Sequence, residues 1–99
     1  MANKQSALSV QKILKMKASG EKIAMATAYD YPTARLEDAA GIDMILVGDS
    51  LGTVVQGRPT TLGARLEDMI YHAEMVQRAA TRALVVVDTP FPYCQLGPE

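Results

Sequence analysis

The sequence has little cysteine and little histidine, with one residue of each among its 99. A single cysteine, Cys94, cannot form a disulfide within the chain and fits a reducing compartment. One histidine and one cysteine also exclude a zinc site of the usual cluster type. The net charge of −1 leaves no strongly basic surface, so general electrostatic binding to nucleic acid is not expected.

Long apolar runs are absent as well. No stretch approaches the roughly 18 uninterrupted apolar residues that a membrane span requires, and residues 1–11 lack the apolar core of a secretory signal. The composition, 48% hydrophobic and 21% charged, is not that of a disordered chain. We therefore expect a soluble cytoplasmic protein in which residues 1–99 form a single domain or part of one.

Helical and strand patterns alternate along the chain. Unbroken apolar runs, typical of parallel strands that are buried on both faces, predict strands at 23–28, 44–47 and 83–87. Helices are predicted from a capping Ser9 to a terminating Gly20, at 33–40, and at 65–82. Residues 51–64 are expected to form a loop. The order, a helix and then β-α-β-loop-α-β, predicts an α/β fold with a parallel sheet.

Each predicted strand is followed by an aspartate: Asp30, Asp49 and Asp88. Ligands of parallel α/β folds gather at the carboxyl ends of strands, and neighbouring strands lie about 4.8 Å apart, so these carboxylates could converge on one hard cation such as Mg²⁺. The alternative for each is an ordinary turn or helix cap. Asp30, just before Tyr31 and Pro32, is interpreted as such a cap. Asp49 and Asp88 are the stronger candidates, since the two runs before them look buried on both faces and the 49–52 turn is expected to enter a loop.

Other polar residues are interpreted as structural. His72 lies beside an apolar helical stripe and is expected to be a buried or half-buried structural histidine. Tyr29 and Tyr71 are expected to be packing residues with a polar tip. Cys94 has no activating neighbour in sequence and is interpreted as an inert thiol. The glycines match neither phosphate-binding motif, so no nucleotide site is predicted.

Four segments in order resemble the ketopantoate hydroxymethyltransferase family. They are TAYDYP at 27–32, DMILVGDSLG at 43–52, LEDMIYH at 66–72 and VDTPF at 87–91. The resemblance extends from about Val10 to the last residue. It implies a (β/α)₈ TIM barrel of the phosphoenolpyruvate/pyruvate type, of which this chain would be the first three β/α units behind an N-terminal helix.

The resemblance also implies a reaction. The family transfers a hydroxymethyl group from 5,10-methylenetetrahydrofolate to 3-methyl-2-oxobutanoate through a metal-stabilised enolate and gives ketopantoate, in pantothenate and coenzyme A synthesis. By this resemblance Asp49 and Asp88 would bind Mg²⁺, and Asp49, Ser50 and Asp88 would contact the 2-oxoacid. The family's lysine, its further metal-shell glutamate and its general-base glutamate would lie beyond Glu99. A homo-oligomer is expected, with no nucleic-acid or membrane partner.

Two features set this chain apart from the family pattern. The family's Pro-Phe-x-Ser-Tyr-Gln pattern is replaced by PFPYCQ at 90–95. A barrel takes about 250 residues, so the chain looks truncated and the isolated 99 residues are expected to be inactive. The alternatives are an inactive fragment, one piece of a split subunit, or a related Mg²⁺-dependent 2-oxoacid carbon–carbon lyase.

Overall fold

The computed structural model describes residues 7–59 and 65–88. A three-stranded parallel sheet in the order β1-β2-β3 confirms the predicted α/β class. The elements in chain order are α1 (Val10–Ala18), β1 (Met25–Thr27), α2 (Tyr31–Ala39), β2 (Met44–Val47), α3 (Leu51–Val54), α4 (Leu66–Ala79) and β3 (Leu84–Val87). In the described part of the chain, no helix combines the length and the apolar character that crossing a bilayer demands.

Local capping sets the ends of the first two helices as predicted. The Ser9 hydroxyl accepts a hydrogen bond from the Lys12 amide at 3.2 Å, and Gly20 follows α1 with a φ of 83°. The Asp30 carboxylate accepts from the Thr33 amide at 2.8 Å at the start of α2, and Gly41 follows that helix with a φ of 92°. These positive φ angles favour glycine, which explains why both helices stop where they do.

The core lies between one face of the sheet and the helices α2 and α4. Its buried residues are Ala28, Ala34, Ile45, Val47, Leu51, Met69, Val76, Ala79 and Ala83. The prediction that the strands are buried on both faces is wrong. Residues in β2 alternate between half-buried and buried, and on β1 Met25 is 54% exposed. Since α2 and α4 pack together on a single side, the opposite face of the sheet does not receive their cover.

A short helix replaces the start of the predicted 51–64 loop. Leu51 is fully buried and anchors α3, and the Val54 amide donates to the Ser50 carbonyl at 2.8 Å. The 49–52 turn therefore leads directly into a helix, contrary to the expectation that it enters a loop. Residues 60–64 lie outside the described part of the chain.

Helix α4 ends earlier than its sequence pattern predicts. The expected helix reached residue 82, but α4 stops at Ala79 because a carboxylate of α2 captures the next amides. Asp38 Oδ1 accepts from the Arg82 and Ala83 amides at 3.0 and 2.8 Å, and Asp38 Oδ2 accepts from the amide and hydroxyl of Thr81 at 3.2 and 2.7 Å. This contact joins α2 to the turn before β3, across more than forty positions of sequence.

A buried ion pair joins the amino ends of the strands. Asp43 is 7% exposed, and its carboxylate accepts from the Ala24 amide at 2.9 Å and from the Arg82 guanidinium at 3.0 Å. Arg82 also donates to the carbonyls of Gly41 and Ile42 at 3.1 and 3.0 Å. This end of the sheet is thus tied together by charge-assisted hydrogen bonds, which leaves the opposite end for ligands.

Candidate functional site

The carboxyl ends of the three strands meet at one edge of the sheet. Val47 pairs with Val87, and the Asp88 amide donates to the Val47 carbonyl at 3.1 Å. On the other side, the Ala28 amide donates to the Leu46 carbonyl at 3.2 Å. The parallel register therefore carries the residues that follow each strand to the same edge, as the sequence pattern predicted.

Asp88 lies directly against the residue that precedes Asp49. Its Oδ2 atom is 3.2 Å from the position that a Cβ would occupy on Gly48, a buried residue. The same position is 3.5 Å from Leu46 Cδ2, so the carboxylate and Leu46 share a face of the sheet. Gly48 has no left-handed φ, and a Cβ there would require the Asp88 carboxylate to shift by a few tenths of an ångström. Sequence reasoning missed it, although a glycine between an apolar run and an acid was a usable signal.

Within the described residues, the side chains of Asp49 and Asp88 differ from that of Asp30 in their hydrogen bonding. Asp49 is half-buried and Asp88 is exposed, and within 7–59 and 65–88 neither side chain forms a hydrogen bond or an ion pair. By contrast, Asp30 is used as the cap of α2, as predicted, and hydrogen bonds from Thr33 lower the pKa of its carboxyl. Of the three strand-end aspartates, the structure therefore commits Asp30 to capping. The metal and substrate roles of the other two stay predictions.

Ser50 lies at the start of α3 with its hydroxyl turned away from the helix. The side chain makes no cap hydrogen bond, although the Ser50 carbonyl accepts from the Thr53 amide and hydroxyl, both at 3.0 Å. Instead, Ser50 Oγ is hydrogen-bonded to the hydroxyl of Tyr29, whose ring packs against the core. The packing role predicted for Tyr29 is confirmed, and its polar tip has a partner on the next strand end.

His72 holds the backbone of Tyr29. The imidazole is half-buried, as predicted, and its Nδ1 lies 2.5 Å from the Tyr29 carbonyl oxygen. A carbonyl only accepts, so Nδ1 carries a proton and donates. The ring of Tyr71 meets His72 edge-on, with centroids 5.2 Å apart and planes at 77°. Helix α4 is therefore pinned to the residue that supports Ser50.

The donor set fits a hydrated magnesium ion. The described residues contain no group of three or more histidine, cysteine or acidic side chains able to hold a metal. Mg²⁺ is commonly held by one or two carboxylates, with water and substrate as the other ligands, and Asp49 and Asp88 are two such carboxylates. The space above Gly48, which a Cβ would narrow, lets the Asp88 carboxylate approach the Asp49 turn. Cys94 and residues 90–95 lie outside the described part of the chain.

A parallel sheet that brings two carboxylates and a hydroxyl to the carboxyl ends of its strands has the architecture in which α/β proteins bind small ligands, which makes this edge the candidate site. The family model for ketopantoate hydroxymethyltransferase matches residues 7–99, and the chain belongs to that family.

Curated relatives agree with this assignment. The chain is 54% identical over 93 residues to the 3-methyl-2-oxobutanoate hydroxymethyltransferase of Rhodopirellula baltica, covering 94% of this chain and 35% of the relative. It is 61% identical over 83 residues to the enzyme of that name from Methylococcus capsulatus, covering 83% and 31%. It is 57% identical over 90 residues to the enzyme of that name from Magnetococcus marinus, and the match covers 91% of this chain and 34% of the relative. The chain thus spans about a third of the length of these relatives.

Proposed function

We propose that this chain forms the magnesium- and 2-oxoacid-binding part of an enzyme that transfers a hydroxymethyl group from 5,10-methylenetetrahydrofolate to 3-methyl-2-oxobutanoate. The product would be ketopantoate. Family membership supports the reaction, and the names of the relatives support the substrate. The observation that carries the proposal is the placement of Asp88 Oδ2 beside Gly48, at the turn that bears Asp49 and Ser50.

In this proposal Asp49 and Asp88 hold Mg²⁺ and leave positions for the substrate. A C–H bond next to a ketone is a weak acid. Bound Mg²⁺ would supply Lewis-acid polarisation of the keto oxygen, which makes that C–H easier to deprotonate. The two carboxylates also balance the charge of the cation, so the anionic 2-oxoacid meets a site that is close to neutral.

Ser50 would orient the substrate. Its hydroxyl is not used in capping α3, so it is able to donate a hydrogen bond to the carboxylate of the 2-oxoacid. The deprotonated carbon would then attack the one-carbon unit carried by the folate. Both bonds of that unit to folate nitrogens break overall, water supplies the hydroxyl group of the product, and tetrahydrofolate leaves. We expect the base that removes the proton to lie in the two thirds of the relatives' length that this chain does not match.

The remaining proposals concern the whole protein. We propose a (β/α)₈ barrel of the phosphoenolpyruvate/pyruvate type, a homo-oligomer and a cytoplasmic location. A carbon–carbon lyase of the same structural class is not favoured, because the relatives named above are all hydroxymethyltransferases. Sedimentation of the complete protein tests the oligomer.

A chimera tests the function directly. The stretch of this chain that aligns with the R. baltica relative replaces the matching stretch of that enzyme, and ketopantoate is measured with both substrates and Mg²⁺ present. We expect folate-dependent product, its loss on chelation with EDTA and its return when Mg²⁺ is restored. A folded chimera that forms no ketopantoate, or one whose turnover ignores EDTA, would contradict the proposal.

A further inference from the structure

We infer that Tyr29 is a positioning residue that aims the Ser50 hydroxyl at the carboxylate of the 2-oxoacid; this inference rests on the proposed function. Tyr29 follows β1 and Ser50 follows β2, and their side-chain oxygens are hydrogen-bonded to each other. Nothing in the spacing of the two residues required this contact, since they are 21 positions apart and belong to different strand ends.

The number of hydroxyl protons decides which residue must donate in the Tyr29–Ser50 hydrogen bond when substrate is bound. A serine hydroxyl has one proton, and a serine that donates to a substrate anion has only its lone pairs left for a protein partner. A phenol also has one proton to give. When Tyr29 donates to Ser50 Oγ, the serine proton is released from the protein and points to the ligand. If Ser50 instead donated to the Tyr29 oxygen, its hydroxyl would present only lone pairs to the substrate anion.

The surroundings of Tyr29 hold its hydroxyl beside that of Ser50. Its ring packs against the core, and its carbonyl accepts from His72 Nδ1. Two parts of Tyr29 are therefore held in place: its ring, by packing, and its backbone carbonyl, by the hydrogen bond from His72. A preorganised donor of this kind reduces the freedom of the Ser50 hydroxyl before the substrate arrives, and preorganisation is what makes such hydrogen bonds effective.

Double-mutant analysis in the chimera tests the inference. Tyr29→Phe keeps the ring and removes only the hydroxyl. Tyr31→Phe is the matched control, since Tyr31 is an exposed residue of α2 whose hydroxyl accepts from Arg35 among the described residues. We expect Tyr29→Phe to raise both the KM for 3-methyl-2-oxobutanoate and its Kd, measured by calorimetry with Mg²⁺ and no folate, by about three- to tenfold. Tyr31→Phe should change neither.

The decisive readout is the coupling with Ser50. If Tyr29 acts through the serine, Tyr29→Phe has little further effect on Kd once Ser50→Ala is present. Additive effects of the two substitutions, or an unchanged Kd in Tyr29→Phe, would overturn the inference while the active chimera still supports the proposed function. The thermal midpoint is measured for every variant, and a Tyr29→Phe effect that appears in the midpoint alone also counts against positioning. An inactive, folded parent chimera would remove both proposals together.

Discussion

The Oδ2 atom of Asp88 lies 3.2 Å from the point where a side chain on Gly48 would begin. This distance is tighter than ordinary van der Waals contact, so a Cβ at residue 48 would press on the carboxylate. The ends of β2 and β3 therefore approach closely at a position where the side chain is a single hydrogen atom. This approach also gives the proposed cation site a dependence on a residue that carries no chemistry of its own.

Gly48→Ala should therefore weaken the site without unfolding the protein. The backbone of Gly48 is outside the left-handed region, so alanine is tolerated there. The new methyl group pushes the Asp88 carboxylate by a few tenths of an ångström, which uses up most of the roughly 0.5 Å within which the groups of such a site must be held. We expect Mg²⁺ affinity in the chimera to fall about tenfold by calorimetry, with a small change in thermal midpoint. Unchanged affinity would show that Asp88 does not bind the cation from this position.

Asp49→Asn and Asp88→Asn test the two proposed ligands separately. Each removes one negative charge at nearly constant volume, and each should reduce Mg²⁺ affinity and ketopantoate formation by at least about 100-fold, since a metal centre of this kind contributes several kcal/mol.

Asp30→Asn is the matched control for these two substitutions. It makes the same chemical change at the third strand end, where asparagine caps a helix about as well as aspartate does. Activity close to that of the parent is expected. A loss in Asp30→Asn as large as in the other two would mean that removing a charge, and not a ligand, is what matters at this edge.

The parts of the structure that follow from local chemistry could be predicted from the sequence. Asp30 before Tyr31 and Pro32 indicates a helix cap, and Gly20 indicates a helix end, because each depends on its immediate neighbours. The alignment of strand ends was also predictable, since parallel register alone brings Asp88 beside the 48–50 segment.

The parts that depend on distant residues could not be predicted. The apolar pattern of α4 continues past Ala79, and only the carboxylate of Asp38 on another helix ends it. Burial on both faces was inferred from the apolar composition of β1, but the exposure of Met25 depends on which elements cover the sheet. Likewise, the hydrogen bond between Tyr29 and Ser50 depends on how the two side chains are directed at neighbouring strand ends, which neither sequence segment encodes.

Among the exposed and half-buried polar residues at the amino end of the sheet, Asp38 is expected to be the one whose replacement by alanine destabilises the protein most. This replacement leaves three backbone amides of residues 81–83 and one hydroxyl without their acceptor. Lost acceptors for partly buried donors cost about 2–4 kcal/mol here, a fall of about 5–15 °C in the thermal midpoint of the chimera. Asp38→Asn keeps one acceptor oxygen and should cost less. Glu67→Ala, on the exposed side of α4, should be neutral.

Acid should destabilise the amino end of the sheet. Burial raises the pKa of Asp38, but its hydrogen bonds from residues 81–83 outweigh this and hold the pKa below the usual 3.8. The Ala24 amide, with help from Arg82, likewise lowers the pKa of Asp43 against the effect of burial. A carboxyl whose pKa is lower in the folded state stabilises it at pH values above 3.8 and loses that contribution as the pH falls. We expect the thermal midpoint to fall steeply below about pH 4, and less steeply in Asp38→Asn.

The contribution of Glu37 to stability should depend on pH in the opposite direction to those of Asp38 and Asp43. Burial raises its pKa above the usual 4.5, the negative charge of Asp30 adds to this, and its buried Oε1 has no hydrogen-bond partner among the described residues. Its contribution to stability is therefore full below pH 4.5 and is lost as the pH rises through the raised pKa. Glu37→Gln should raise the thermal midpoint by about 1–2 °C at pH 7 and by nothing at pH 4. An equal gain at both pH values would contradict the assignment.

An apolar groove runs along the β3 side of the described fold. It has a volume of about 420 Å³ between α4 and β3. Its apolar lining is formed by Leu66, Met69, Ile70, Ala73, Val85 and Val87. Ile70 is 51% exposed there, and Val87 is 43% exposed. β3 is also an outer strand of the described sheet, so the groove adjoins backbone groups that are able to pair with a further strand.

The 99 residues on their own should therefore behave differently from the chimera. With the groove and the strand edge uncovered, the isolated chain should bind a hydrophobic dye such as ANS and associate with itself in sedimentation. It should form no detectable ketopantoate, because we place the base that removes the substrate proton outside the segment that it shares with its relatives. The chimera, in which the rest of the R. baltica enzyme is present, should show weak dye binding and turnover. Folate-dependent ketopantoate formation by the purified 99-residue chain would contradict this division, since it would place every group that the reaction needs within these residues.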